Sequence, residues 1–372
     1  MTDIDAAVHA LGGETNKVIY DDIGMPSIVV EVKETIKILD DIVYGTSTLP
    51  HPAFVVNGVR KSKFYVSKYQ NVVLNERAYS LPLQVPELKM NFDASISACA
   101  KKGLGWHLMT NAEWAYLALV GYLPRGNNNS GSDYRGAERG GIRTEKADRS
   151  LTEYILTGSG PAAYAHNGES SGIWDLNGNK NEWVGGLRLM DGEIQIIKDN
   201  DAADFTVSQC PSSEHWKSII QDSSLVPFGT AETIKLDYTK EPVAGETLSM
   251  ILAKNLINQQ TDASLHGERA FKSLESRAGF DIPHILKLLA IAPWDTVSDG
   301  YIFMKNIGER PAVRGGGATD GNKAGIRTLG LNNLRDLNDF AFRSAYIDIL
   351  DTAILADESG VALATEDGII KL

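Results

Sequence analysis

The chain has 372 residues, 43% hydrophobic and 23% charged, the balance of a globular protein rather than a disordered or fibrous one. Its 36 lysines and arginines face 48 acids, and the net charge of -12 argues against general nucleic-acid binding and against docking on an anionic membrane. No apolar run approaches the ~20 residues of a membrane span, and the opening MTDIDAAVHALGGETNK lacks the apolar stretch of a secretory leader.

The length suits two ordinary domains or one large one. Cys99 and Cys210 are too few for a disulfide framework and too far apart for a CxxC motif, so reduced thiols are expected, with a long-range bridge left open.

Residues 1–50 carry nine acids against three lysines. Ser27-Ile-Val-Val-Glu-Val-Lys33 reads as a strand, and Glu34 to Ile42 as a short helix with Ile36, Leu39 and Ile42 on one face. A small N-terminal assembly or attachment module is expected here, closed by Thr46-Ser-Thr-Leu-Pro-His-Pro52. Two β-rich runs then flank Asn57-Gly58, a strong hairpin signal. Asp93 is placed to cap a helix from Ala94 to Lys102, with Gly103 as its stop. Thr110-Asn-Ala-Glu113 has the spacing of a capping box and opens a helix carrying Trp114, Leu117 and Ala118 towards Gly121. The stretch 121–141, with six glycines, reads as a loop. Residues 205–300 read as an insertion, polar at first and then helical at 267–278 and 282–292. From 310 to 343 the chain turns basic, with six arginines or lysines to three aspartates, and the last 26 residues return to a net -5. The expected class is α+β.

Familiar catalytic patterns fail on inspection. Gly168-Glu-Ser-Ser-Gly172 matches G-x-S-x-G around Ser170, but a turn follows where the nucleophile elbow needs a helix. Gly316 to Lys323 resembles a P-loop with Asn322 standing where the lysine must be. His266-Gly-Glu268 lacks the P-C-x-x-C half of a deaminase signature. The seven histidines include no i,i+4 metal pair.

More informative is a series of five motifs in order: Phe64-Tyr-Val-Ser-Lys-Tyr69, then Ala98 to Trp114 (ACAKKGLGWHLMTNAEW), Gly172 to Trp183 (GIWDLNGNKNEW), Val313-Arg-Gly-Gly316, and Phe342-Arg343. Together they resemble the formylglycine-generating-enzyme-like branch of the C-type lectin fold. Its segments read strand-K-Y, G-W-R-L-P-T-E-A-E-W, G-D-L-S-G-N-V-W-E-W, R-G-G-S-W and G-F-R. The resemblance covers about residues 53–346 and implies a lectin-like domain at 51–346, interrupted by the long insertion and followed by a tail at 347–372. It implies core anchoring by Trp114, Trp174 and Trp183, and scaffold roles for Glu113, Glu182, Arg314 and Arg343, the arginines by forked hydrogen bonds. In some relatives calcium is bound, and the oxygen ligands of Asn179 and Glu182 would suit it here; no other cofactor is implied. Residues 314–346 contain no cysteine, where the sulfatase-activating enzymes keep their catalytic pair, and the histidine cluster of iron-dependent sulfoxide synthases is missing. A formylglycine-generating-enzyme-like or non-haem-iron oxidoreductase is one rival reading. A calcium-dependent lectin is another, although the E-P-N and W-N-D sugar motifs are missing.

The subfamily that fits better is that of the variable proteins diversified by retroelements, which include phage receptor-binding proteins. Their frame is matched here by Gly321, Ala324-Gly325, Leu329, Leu331-Asn332-Asn333, Arg335 and Phe342-Arg343, with departures at Ala318 for tryptophan and Ala341 for glycine. The resemblance implies a non-enzymatic ligand-binding protein with a variable region at about 314–343. It places ligand contacts at Gly317, Ala318, Thr319, Asp320, Asn322, Lys323, Arg327, Thr328, Gly330, Leu334, Asp336, Leu337, Asp339 and Phe340. The implied partners are a protein or glycan receptor on a target cell, and phage-tail or other assembly proteins reached through residues 1–50, with no nucleic acid and no membrane insertion. The implied location is a virion, after cytoplasmic synthesis, with the cytoplasm itself as the alternative.

Overall fold

The computed structural model describes residues 3–35, 50–120, 123–126, 141–243, 246–261, 264–295 and 300–349. The helix expected over 34–42, the loop at 121–141 and most of the tail at 347–372 fall largely outside the described residues. The architecture is α+β, mostly sheet with few helices.

One sheet has five strands, in the spatial order Asn16–Tyr20, Pro26–Lys33, Lys63–Ser67, Ser344–Tyr346 and Trp106–Leu108. The strand expected at 27–33 is present and lies inside this sheet. Val30 pairs with Val66 and Val32 with Phe64, all four in the core. Residues 16–33 therefore share a sheet with the body of the protein rather than forming a module of their own. The reason is geometric: a lone hairpin cannot bury a valine face, and Lys63–Ser67 supplies the missing partner. Asn57-Gly58 turns a hairpin between Val55–Val56 and Val59–Arg60, both residues with positive φ as a two-residue type I′ turn requires.

The helix Phe92–Ala100 is capped by Asn91, whose side chain accepts from the Ala94 amide at 2.8 Å. Asp93, the expected cap, lies one residue inside the helix, where its carboxylate meets Arg335 instead. The second helix, Asn111–Val120, has the capping box as read. The Thr110 amide donates to Glu113 Oε2 at 3.0 Å, and the Glu113 amide to Thr110 Oγ1 at 3.2 Å. Residues 111–119 are buried on every side, so this helix sits within the core rather than on it. Tyr116 donates to the Lys33 carbonyl at 2.8 Å, and the Trp114 indole donates to the Ile326 carbonyl at 2.7 Å. The helix thereby ties the five-stranded sheet to the second one.

That second sheet runs round on itself. From Glu182–Met190 the neighbours in succession are Glu193–Ile197, Lys235–Tyr238 and Met250–Ala253 on one side, and Glu309–Gly315, Gly325–Leu331, Tyr301–Met304 and Gly267–Ala270 on the other. The closing contact is one bridge, Leu248 to Gly267, with the Glu268 amide donating to the Leu248 carbonyl at 2.8 Å. Leu187, Leu189, Ile196, Leu236, Met250, Leu252, Ile302, Met304, Leu329 and Leu331 join the main core. The helix expected at 267–278 is a strand followed by two 3-10 turns, and that expected at 282–292 is shortened to His284–Leu288. Gly267 lies against the Tyr238 ring, where an added Cβ would come within 2.7 Å, and strand pairing outweighs local helical periodicity.

Both cysteines are free, Cys99 buried and Cys210 exposed. Among the described residues no helix is long and apolar enough to cross a membrane.

Two predictions follow from these contacts. Deleting residues 1–33 removes an inner strand, so the truncated chain is expected to lose its cooperative thermal transition; an unchanged transition by circular dichroism would restore the separable module. The second concerns His51, fully buried, with Nδ1 accepting from the Ala53 amide and Nε2 therefore donating to the Leu288 carbonyl at 2.9 Å. Burial pushes its pKa from 6.5 down to about 4. Protonation thus favours the unfolded chain. Stability is complete above pH 6.5 and falls as the pH drops towards 4, by about 3 kcal/mol in all, a slope that His51→Gln should flatten in denaturant titrations.

Candidate functional site

The stretch 314–346 is built outward from two buried arginines. Arg314 donates through Nε and Nη2 to Asn111 Oδ1 at 2.9 and 2.6 Å, and through Nη2 to the Leu289 and Ala290 carbonyls at 3.1 Å each. No carboxylate is among these acceptors, and burial pushes its pKa down to about 9, which leaves it charged at neutral pH. Gly315 and Gly316 follow with φ of +90° and +77°. A Cβ on Gly315 would meet the Leu176 carbonyl at 3.2 Å and the Trp114 ring at 3.4 Å, and one on Gly316 would meet Ala324 at 2.6 Å. The Arg-Gly-Gly motif is thus a close crossing that only glycine permits.

Arg343 closes the stretch. It donates to Glu182 through Nε at 2.7 Å and Nη2 at 2.5 Å, to the Ser67 carbonyl at 3.1 Å and to the Trp174 carbonyl at 3.0 Å. The segment 178–183 lies between the two ends: Gly178 donates to the Gly315 carbonyl, Ala318 to the Asn179 carbonyl, and Ala341 to the Asn181 carbonyl. Trp183 packs edge-on against Phe92 and Phe340, and its indole donates to the Met90 carbonyl at 2.9 Å.

Against this frame the fourteen expected contact residues divide. Thr319, Asn322, Leu334, Asp336, Leu337 and Asp339 are exposed, and Asp320 and Lys323 are half-buried. Gly317, Ala318, Arg327, Thr328, Gly330 and Phe340 are buried and cannot offer a side chain to a ligand in this arrangement. Each has a packing reason. Phe340 stands 4.6 Å from the Trp183 ring, and Arg327 is forked onto Asp295 at 2.9 and 3.1 Å with its guanidinium over Trp294. Thr328 donates to the Lys323 carbonyl at 2.7 Å, Ala318 bonds the Asn179 carbonyl, and a Cβ on Gly330 would strike Val313. Gly317 donates its amide to Asp320 at 2.7 Å, closing the turn.

The exposed residues fall into two groups. Asp339 pairs with Lys180 at 2.8 Å, and Lys180 also reaches the Tyr154 hydroxyl at 3.3 Å. Ala318 is bonded to the Asn179 carbonyl next to Lys180, so the 317–323 turn and Asp339 share one neighbourhood; the Tyr154 pKa is raised there by burial first and then by Glu153, Asp339 and Asp320. Leu334, Asp336 and Leu337 lie on a separate turn that Arg335 fastens to Asp93 and Glu309.

Sequence reasoning missed the neighbours of Lys323. Its ammonium meets both Glu268 oxygens at 2.7 Å and sits 5.7 Å from the centre of the Tyr301 ring, which stacks with Phe303 at 6.3 Å. The signal was present in Tyr301-Ile-Phe-Met304, where half-buried aromatic and fully buried aliphatic residues alternate with period two.

Asn179 and Glu182, the expected calcium ligands, are otherwise engaged. Asn179 accepts from the Ile155 amide at 3.0 Å and donates to Gln70 at 2.9 Å, while both Glu182 oxygens are taken by Arg343 and one also by Gln70. A guanidinium already neutralises the carboxylate, so this pair is scaffold rather than a cation site. Among the described residues no three His, Cys, Asp or Glu side chains come together as a metal set. Among the described residues an acid and an imidazole meet at His107 and Glu113, 2.9 Å apart and both buried. Burial lowers the His107 pKa, but Glu113, the Gly105 carbonyl and Asp204 together outweigh it and the net direction is up; both ring nitrogens face acceptors, Nδ1 the Gly105 carbonyl at 3.0 Å and Nε2 Glu113 Oε1.

Compared with known proteins, the chain matches no protein-family model and no curated protein sequence.

Breaking one partner of a buried ion pair strands the other charge. Arg343→Met is expected to cost about 3–5 kcal/mol in denaturant unfolding, and adding Glu182→Gln should return part of that loss. Equal losses in the single and double variants would remove the pair from its central place.

Proposed function

We propose that this chain is a non-enzymatic binding protein: a C-type-lectin scaffold of the formylglycine-generating-enzyme-like branch, displaying the turns at 317–323 and 332–340 to a receptor. The observation that carries the reading is the sorting of side chains within 314–346. Arg314, Leu329, Leu331, Phe342 and Arg343 are buried, while Thr319, Asn322, Asp336 and Asp339 stand in solvent between them. Identity at the first set is dictated by packing; at the second it is free to follow a ligand.

In this reading the receptor is a protein or glycan on a target cell and the protein works on a phage tail, as one of the variable proteins diversified by retroelements. The assembly contact falls to the Asp3–Gly12 helix, where Ile4 and Leu11 are 48% and 81% exposed.

Replacing Thr319, Asn322, Asp336 and Asp339 together by alanine is expected to change binding to target cells by more than tenfold, about 1.4 kcal/mol, with the thermal midpoint unmoved. Sequences from one natural population should vary at Thr319, Asp320, Asn322, Lys323, Leu334, Asp336, Leu337 and Asp339 and hold constant at Arg314, Gly315, Gly316, Gly321, Arg335 and Arg343. Variation spread evenly along the chain would defeat the proposal.

A further inference from the structure

The strands Lys235–Tyr238 and Met250–Ala253 belong to the region read as an insertion, and a cavity of about 280 Å³ opens beside them, lined by no residue of the turns at 317–323 and 332–340. Its lining divides by chemistry. Phe280, Ile257 and Ala253 give it an apolar wall; Lys254, Arg277 and Glu232 give it charge. Ile257 is 70% exposed, so its side chain is open to an occupant of the cavity.

The two cations differ in how they are held. Arg277 is fixed: Nη1 donates to the buried Asp237 carboxylate at 2.6 Å and to the Asn255 carbonyl at 3.4 Å, and Nη2 donates to the Tyr238 carbonyl at 2.9 Å. Asp237 is itself held by the Ile257 and Asn258 amides, so the guanidinium is rigidly placed. Three of its five N–H groups are thereby used, which leaves two without an acceptor among the described residues. Lys254 is loosely held, with its ammonium 3.5 Å from the largely exposed Glu232 and 5.6 Å from the centre of the Phe280 ring. Such an exposed pair contributes little and is easily exchanged for another anion. At the rim, Ala278 has φ of +57°, a left-handed conformation costly for any residue with a Cβ.

We propose that this cavity is a binding site for a small organic anion with an apolar body, of the kind exemplified by a monocyclic aromatic carboxylate. The carboxylate takes the free N–H groups of Arg277 and displaces Glu232 from Lys254. The ring lies against Phe280 and Ile257. A volume near 280 Å³ accommodates one ring with a short arm. The site is independent of receptor display, since it shares no residue with the displayed turns.

Titration calorimetry on the full chain with phenylacetate tests the proposal, with phenylacetamide, acetate and sulfate as comparison probes. Phenylacetate should bind at least about tenfold more tightly than each of the other three, because the amide lacks the charge and the small anions lack the ring. Lys254→Gln and Phe280→Ala should each weaken phenylacetate by a similar factor, and Lys254→Gln should leave the thermal midpoint unchanged. Equal affinity for phenylacetate and phenylacetamide would overturn the anionic half, and equal affinity for phenylacetate and sulfate the apolar half. Binding untouched by Lys254→Gln would place the ligand elsewhere and overturn the whole. None of these outcomes alters receptor binding by the alanine variant of the displayed turns, so the two readings fail separately.

Discussion

The pairing of Glu182 with Arg343 is the constraint on which the rest of the structure depends. Two opposite charges, each about 1% exposed, have been withdrawn from water, and their attraction offsets that cost only if every remaining donor and acceptor is met. The partners that meet them come from distant parts of the chain: the Ser67 carbonyl and Gln70 from one segment, the Trp174 carbonyl from another. Satisfying one side chain therefore requires three segments to be in register at once. Beside it, Gly315 passes the Trp114 ring and Arg314 grips the start of the Asn111–Val120 helix. All five ordered motifs meet in this one region, which is why they can be short and still specify an arrangement.

What was legible in the sequence was whatever obeys a local rule. The Thr110–Glu113 capping box, the Asn57-Gly58 turn and the Arg-Gly-Gly crossing each rest on backbone geometry within a few residues, and each is present. What was not legible depends on a distant partner. Nothing near Val30 announces that its neighbour is Val66, and nothing within 267–278 reveals that Tyr301–Met304 will pair with it. Half-reading the contact residues had the same cause. Arg327 and Phe340 look displayable until Asp295 and Trp183 are found against them. Asn91 and Asp93 are both good caps two residues apart, and tertiary pairing with Arg335 decided between them.

Charge counted along the sequence also misleads about charge offered to solvent. The 310–343 stretch holds six basic residues, yet Arg310, Arg314, Arg327 and Arg343 are buried, and Arg335 and Lys323 are committed to Glu309 and Glu268. Asp336 and Asp339 remain exposed and Asp320 half-exposed. A segment that is net cationic on paper thus presents carboxylates.

The ring of eight strands has one further effect. An open sheet ends in rows of unpaired amides and carbonyls, which invite a second molecule to add itself as the next strand. Here Gly267–Ala270, which would otherwise be such a margin, is turned back through Leu248 onto the neighbouring pair, and Arg269 caps the Met250 carbonyl at 2.7 Å. The outermost strand beyond the ring, Leu225–Val226, is only two residues long. An added strand is thereby hindered on this side of the fold, whereas the five-stranded sheet still ends on the five-residue strand Asn16–Tyr20.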